Sequence, residues 1–125
     1  TEMKKPIPGL AVSVHSGGAQ NDRNVSVVVA QAADELLTMN DIHVSAVLNE
    51  SDDGASISAR SDGSVNVQTM MEELGGGGHQ TVAGVQIKGA KAEDLIPKII
   101  EMAKEQMKES DSDEGNSAEG RKEVG

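Results

Sequence analysis

The sequence predicts an α/β domain: one mixed β-sheet of about four to five strands with helices packed on it, in the order β-α-β-β-α-β-α. Three observations predict it. Four short stretches alternate apolar and polar residues, as half-buried strands do. Three longer stretches repeat apolar residues at helical spacing. Turn residues separate them, among them Asp53-Gly54 and Asp62-Gly63. At 125 residues a single domain with a real core is expected.

Residues 1–9 are charged, carry Pro6 and Pro8, and read as a flexible leader or linker. Leu10 to His15 is the first strand, with Leu10, Val12 and Val14 alternating against Ala11, Ser13 and His15. Ser16 to Arg23 reads as a loop. Asn24 to Thr38 begins with β-branched Val25 to Val29, which alone would favour a strand, but Ala30 to Leu37 favours a helix. A single helix burying Val25, Val28, Val29, Ala32 and Leu36 satisfies both halves.

Ile42–Asn49 and Ala55–Arg60 read as a hairpin, and Asn66 as the N-cap of a short helix to Leu74 with Val67, Met70, Met71 and Leu74 inward. Val82–Lys88 is a fourth strand. Ala92–Lys108 is an amphipathic helix with Ile96, Ile99, Ile100, Ala103 and Met107 inward and Pro97 in its first turn. The folded domain therefore spans 10–108. Residues 109–125 hold six acids and two bases and little to bury, and are expected to be a disordered acidic tail.

Composition narrows the function. A net charge of −10 argues against broad phosphate-driven binding to nucleic acid, while leaving room for a small phosphorylated ligand held by one or two cations. Phe, Tyr and Trp are absent, so no base can stack on an aromatic ring of this chain. Without cysteine there are no disulfides or thiolate metal sites. The three histidines lie far apart, so no metal site is expected within the chain. No apolar run approaches the roughly 18–20 residues that span a bilayer, so no direct membrane contact is expected.

Two stretches carry candidate chemistry. In Leu74-Gly75-Gly76-Gly77-Gly78-His79-Gln80-Thr81-Val82-Ala83-Gly84, consecutive glycines can expose backbone N–H groups as an anion cradle, with His79 beside them. The plain alternative is a flexible linker with an incidental histidine. In Ile57-Ser58-Ala59-Arg60-Ser61-Asp62, Arg60 ends a strand, where its guanidinium suits bidentate recognition of a phosphate or base edge. The alternative is a surface arginine pairing with Asp62 or Glu50. His15 and His43 read as structural or surface residues. There is neither a phosphate-binding Lys after the glycines nor a serine nucleophile elbow.

Taken together, Ile57-Ser58-Ala59-Arg60-Ser61, Val65-Asn66-Val67 and Gly75 to Gly84 resemble the DHH-associated domain of the DHH phosphoesterase family, over roughly Leu10 to Met107. Gln31 to Met39 and Asn66-Val67-Gln68 look most like the membrane-anchored cyclic-di-AMP phosphodiesterases of the GdpP type. The resemblance implies a bacterial hydrolase whose catalytic DHH domain holds manganese, while this domain closes over a cyclic dinucleotide or short oligonucleotide. His79 and the N–H groups of Gly76, Gly77 and Gly78 would hold a phosphate, and Arg60 and Ser61 would contact the nucleotide. The Asp-His-His motif is absent, which implies an excised C-terminal domain, inactive alone, from a parent anchored in the membrane and working at its cytoplasmic face. Two other readings stay open: the same domain in a DHH exonuclease or oligoribonuclease, and a non-catalytic nucleic-acid-binding module like the related terminal domain of alanyl-tRNA synthetases.

Overall fold

Strand period and helix period separate the described residues into nine elements around one sheet. The computed structural model describes residues 3–16 and 23–115, with side chains for 3–16 and 24–108. Its elements are β1 (Met3–Ile7), β2 (Leu10–Ser16), α1 (Arg23–Leu37), β3 (Val44–Ser51), β4 (Gly54–Ser61), α2 (Val67–Glu73), β5 (Gly77–Gly78), β6 (Val82–Lys88) and α3 (Ala92–Gly115). The sheet order is β1-β2-β3-β4-β6-β5. β2 and β3 run parallel, joined through α1, and every other pairing is antiparallel.

The α/β class and mixed sheet are as expected, but the sheet has six strands among the described residues. The two additional ones are the sheet's edges. β1 forms where the sequence reads as a leader: Met3 pairs with Ser13 and Lys4 with Val12, and the register then shifts before Ile7. Pro6 lies within that shift, at an edge, where a missing N–H is tolerated. β5 is two residues of the glycine run, paired with Gly84 and Ala83 of β6. The backbone of α3 continues to Gly115, into the stretch expected to be a tail; residues 116–125, like 17–22 of the first loop, lie outside the described residues.

The two faces of the sheet differ. Leu10, Val44, Leu48, Ile57, Ala59 and Val85 point to one side and form the main core with Val67, Met70 and Met71 of α2 and Leu95, Ile99 and Ala103 of α3. The other side carries α1, whose Val29 and Ala33 pack on Val47 of β3. The α1 stripe is Val25, Val29, Ala32, Ala33 and Leu36; Val28, expected inward, is 49% exposed. Val28 lies about 100° round the helix from Val29 and so turns away from the strands. Ser45, buried on β3, donates its hydroxyl to the Ala33 carbonyl at 2.7 Å and pins the helix there.

Two further details matter for the framework. The Asn66 side chain accepts from the Thr69 N–H at 3.1 Å, the cap expected from sequence. Pro97 lies deeper in α3 than its first turn, on an exposed position.

Candidate functional site

The glycine run is three structures in succession. First it ends α2: the N–H groups of Gly75 and Gly76 donate to the carbonyls of Glu72 and Met71 at 3.1 and 2.8 Å, with Gly75 at φ +97°. Next, Gly77 and Gly78 form β5. Finally His79 opens a tight turn, donating its N–H to Val82 O at 2.6 Å and accepting from Val82 N–H at 3.3 Å. The Gly76 N–H expected to meet a phosphate is thus committed to Met71. Alternate N–H groups of an edge strand point away from the sheet, so one of Gly77 and Gly78 still presents a donor outward.

Gly76 is needed for space. A methyl group there would overlap the Gly84 carbonyl oxygen and come within 2.5 Å of Val85 Cβ. This close approach seats β5 on β6.

The turn is docked at both of its central carbonyls. Ser61 N–H donates to Thr81 O at 3.0 Å and Val67 N–H to Gln80 O at 2.9 Å. Arg60 pairs with Val82 in the β4–β6 register. The strand end bearing Arg60 and the turn bearing His79 therefore meet at one end of the sheet. Lys88 stands opposite Gly54, at the far end of β6.

Ser61 is buried, and its Oγ accepts from the N–H groups of Gly63 at 2.9 Å and Val65 at 3.3 Å. That hydroxyl builds the turn after β4. His79 is exposed.

Arg60 is tied neither to Asp62 nor to Glu50. Its Nε donates to Asp34 Oδ1 of α1 at 2.8 Å, and Nη1 donates to the carbonyl of Ala59 at 3.1 Å. The Arg60 side chain is 13% exposed and that of Asp34 65%. Sequence reasoning missed Asp34, because a partner 26 residues away leaves no local pattern.

Asp62 instead meets His43, with Oδ2 2.6 Å from Nδ1. Partial burial pushes the Asp62 carboxyl up, but hydrogen bonds from His43 and from the N–H and hydroxyl of Ser64, with the His43 charge, outweigh it and hold it at about 2.

On the α1 side an open cleft of ≈ 400 Å³ is lined by Ser26, Ser56, Ser58, Gly76, Gly84 and Gln86, among others. Arg60 follows Ser58 on the same face of β4, one pleat nearer the His79 turn. A second groove of ≈ 380 Å³, between α2 and α3, is lined by Glu73, Glu101 and Glu105, charges that repel a phosphate. Among the described residues no three His, Cys, Asp or Glu side chains form a group able to hold a metal, and no helix is long and apolar enough to cross a membrane.

This geometry can be set beside known proteins. A model of the DHHA1 domain matches residues 10–109. The chain belongs to the DHHA1 family. Among curated relatives, it is 49% identical over 71 residues to the cyclic-di-AMP phosphodiesterase GdpP of Geobacillus thermodenitrificans, covering 56% of this chain and 11% of that protein. It is 42% identical over 93 residues to the cyclic-di-AMP phosphodiesterase PdeA of Listeria monocytogenes, covering 74% of this chain and 14% of that protein. A bifunctional oligoribonuclease and PAP phosphatase, NrnA of Thermus thermophilus, is 29% identical over 102 residues, 79% of this chain and 30% of NrnA. Among solved structures, an exopolyphosphatase-related protein from Bacteroides fragilis superposes with a TM-score of 0.66 at 16% identity, over 82% of this chain and 31% of that one. That likeness is one of fold. This DHHA1 chain spans only 11–14% of the length of the GdpP and PdeA relatives.

Proposed function

We propose that this chain is the substrate-binding domain of a manganese-dependent cyclic-di-AMP phosphodiesterase. Arg60 and His79 would grip a substrate phosphate, helped by the outward N–H of the Gly77-Gly78 strand, while Ser61 would hold the Arg60 strand end in place. In this reading manganese and the hydrolytic step would belong to a partner DHH domain, as the family resemblance implies; among the described residues no group of three His, Cys, Asp or Glu side chains could hold the ion. The chain's share of the work is then orientation and charge neutralisation of the phosphate.

One observation carries this reading. The Ser61–Thr81 hydrogen bond, 3.0 Å, ties the arginine strand end to the histidine turn, in a chain 49% identical over 71 residues to a phosphodiesterase named for this substrate. Similarity to NrnA supports short oligoribonucleotides as a second substrate class for the same grip.

The test is steady-state kinetics on cyclic-di-AMP, with Mn2+, in a protein joining this domain to its DHH domain. Arg60→Ala and His79→Ala should each lower kcat/KM, Arg60→Ala by roughly 10- to 100-fold, as expected for losing a charged phosphate contact. Wild-type kinetics in both variants would remove these residues from the site. Faster turnover of linear dinucleotides than of cyclic-di-AMP would favour the oligoribonuclease reading.

A further inference from the structure

We propose that Asp34 is a positioning residue for Arg60: it holds the guanidinium in one orientation at the ligand end of β4, so that the remaining donors meet a phosphate preset. The inference rests on the reading of Arg60 as a phosphate contact, and it adds a residue on a different element to that site.

Two of the five guanidinium N–H donors have described partners, Nε with Asp34 Oδ1 at 2.8 Å and one Nη1 hydrogen with Ala59 O at 3.1 Å. Contacts at two different nitrogens fix both the position and the plane of the group. Nη2 and the second Nη1 hydrogen are left for a ligand, a pair suited to two phosphate oxygens.

Asp34 is itself held in place. Ser45 lies directly opposite Arg60 in the β3–β4 register, and its buried hydroxyl grips the carbonyl of Ala33, the residue before Asp34, at 2.7 Å. The same strand position thus anchors the helix and faces the arginine. Fold stability gives little reason for the pair. Asp34 is 65% exposed, so solvent screens the pair from the carboxylate side and weakens what it adds to stability. An arginine only 13% exposed, with a carboxylate on its Nε side, is better explained as an oriented donor.

Two measurements test this. In a protein joining this domain to its DHH domain, with cyclic-di-AMP as substrate, Asp34→Asn should raise KM about five- to tenfold and leave kcat within about twofold, because the charge-assisted bond that orients the guanidinium is reduced to a neutral one while the arginine charge is kept. Asp34→Glu should recover most of the loss. In the Arg60→Ala background, Asp34→Asn should add nothing further. In the 125-residue chain alone, the Arg60 Nε–H NMR signal should be protected from exchange with water and should exchange measurably faster in Asp34→Asn, where only a neutral acceptor remains.

An unchanged or lowered KM in Asp34→Asn, with Arg60→Ala impaired, overturns the positioning role; a lowered KM would mean that Asp34 competes with the ligand. Additive losses in the double variant, or an unprotected Nε–H in the wild type, overturn it as well. Wild-type kinetics in Arg60→Ala overturn instead the reading of Arg60 as a phosphate contact, and the inference falls with it.

Discussion

Gly76 and Gly77 are neighbours in one glycine run, yet only one of them has no room for a side chain. A Cβ on Gly76 runs into the Gly84 carbonyl and Val85, whereas one on Gly77 meets nothing within 4 Å. Gly76→Ala should therefore destabilise the domain by about 1–3 kcal/mol, the range for overpacking a close contact, and Gly77→Ala should cost well under 1 kcal/mol. Urea unfolding followed by circular dichroism checks both, the chain having no Trp or Tyr to report by fluorescence. This contrast also marks how far the site could be read from residues. Arg60, the glycines and His79 stand out by type and spacing, and the structure does bring the Arg60 and His79 segments together. A glycine that frees an N–H and a glycine that admits a neighbouring strand look identical in sequence, so the capping role of the Gly76 N–H was hidden. Ser61 was equally ambiguous: a hydroxyl beside an arginine fits a ligand contact as well as the turn bonds to Gly63 and Val65 that it makes.

At the scale of elements, period decided what could be foreseen. β2, β3, β4, β6 and all three helices follow from alternation or from helical repeats. β1 and β5 do not, because an edge strand with exposed Lys-Lys-Pro between its two half-buried ends, or one of two glycines, shows no alternation to read. The rotation of α1 was missed for a related reason. Five small or β-branched residues in succession make several stripes equally apolar, and the Ser45–Ala33 hydrogen bond chooses among them. A long-range contact also starts α3. Lys91 precedes the helix without a capping side chain, and Glu50 at the end of β3 accepts from the Ala92 N–H at 3.3 Å. Glu50→Ala should remove that cap and a favourable charge at the helix N-terminus, at a cost of about 1 kcal/mol. A fall in the urea midpoint with an unchanged m-value is the expected signature.

At the scale of the whole molecule, the fold is linked to acid through Asp62. Its carboxyl is held at about 2, below its ordinary 3.8, so the folded state favours the ionised form. The resulting stability is fully present above pH 3.8 and is lost as pH falls toward 2. With the carboxylate 41% exposed, solvent screening limits the contribution to about 1 kcal/mol. Asp62→Asn should be less stable than wild type near pH 5, and the gap should narrow as pH drops through about 3; a gap independent of pH would show that the pair with His43 does not carry this effect. The docked turn has a different kind of consequence. With the carbonyls of Gln80 and Thr81 bonded to Val67 and Ser61, the backbone around His79 is already ordered when the chain folds. A phosphate bound there, as proposed, would leave few backbone torsions to freeze, so little of its contact energy would be consumed by entropy loss in the protein. Even a few polar contacts can then yield useful affinity.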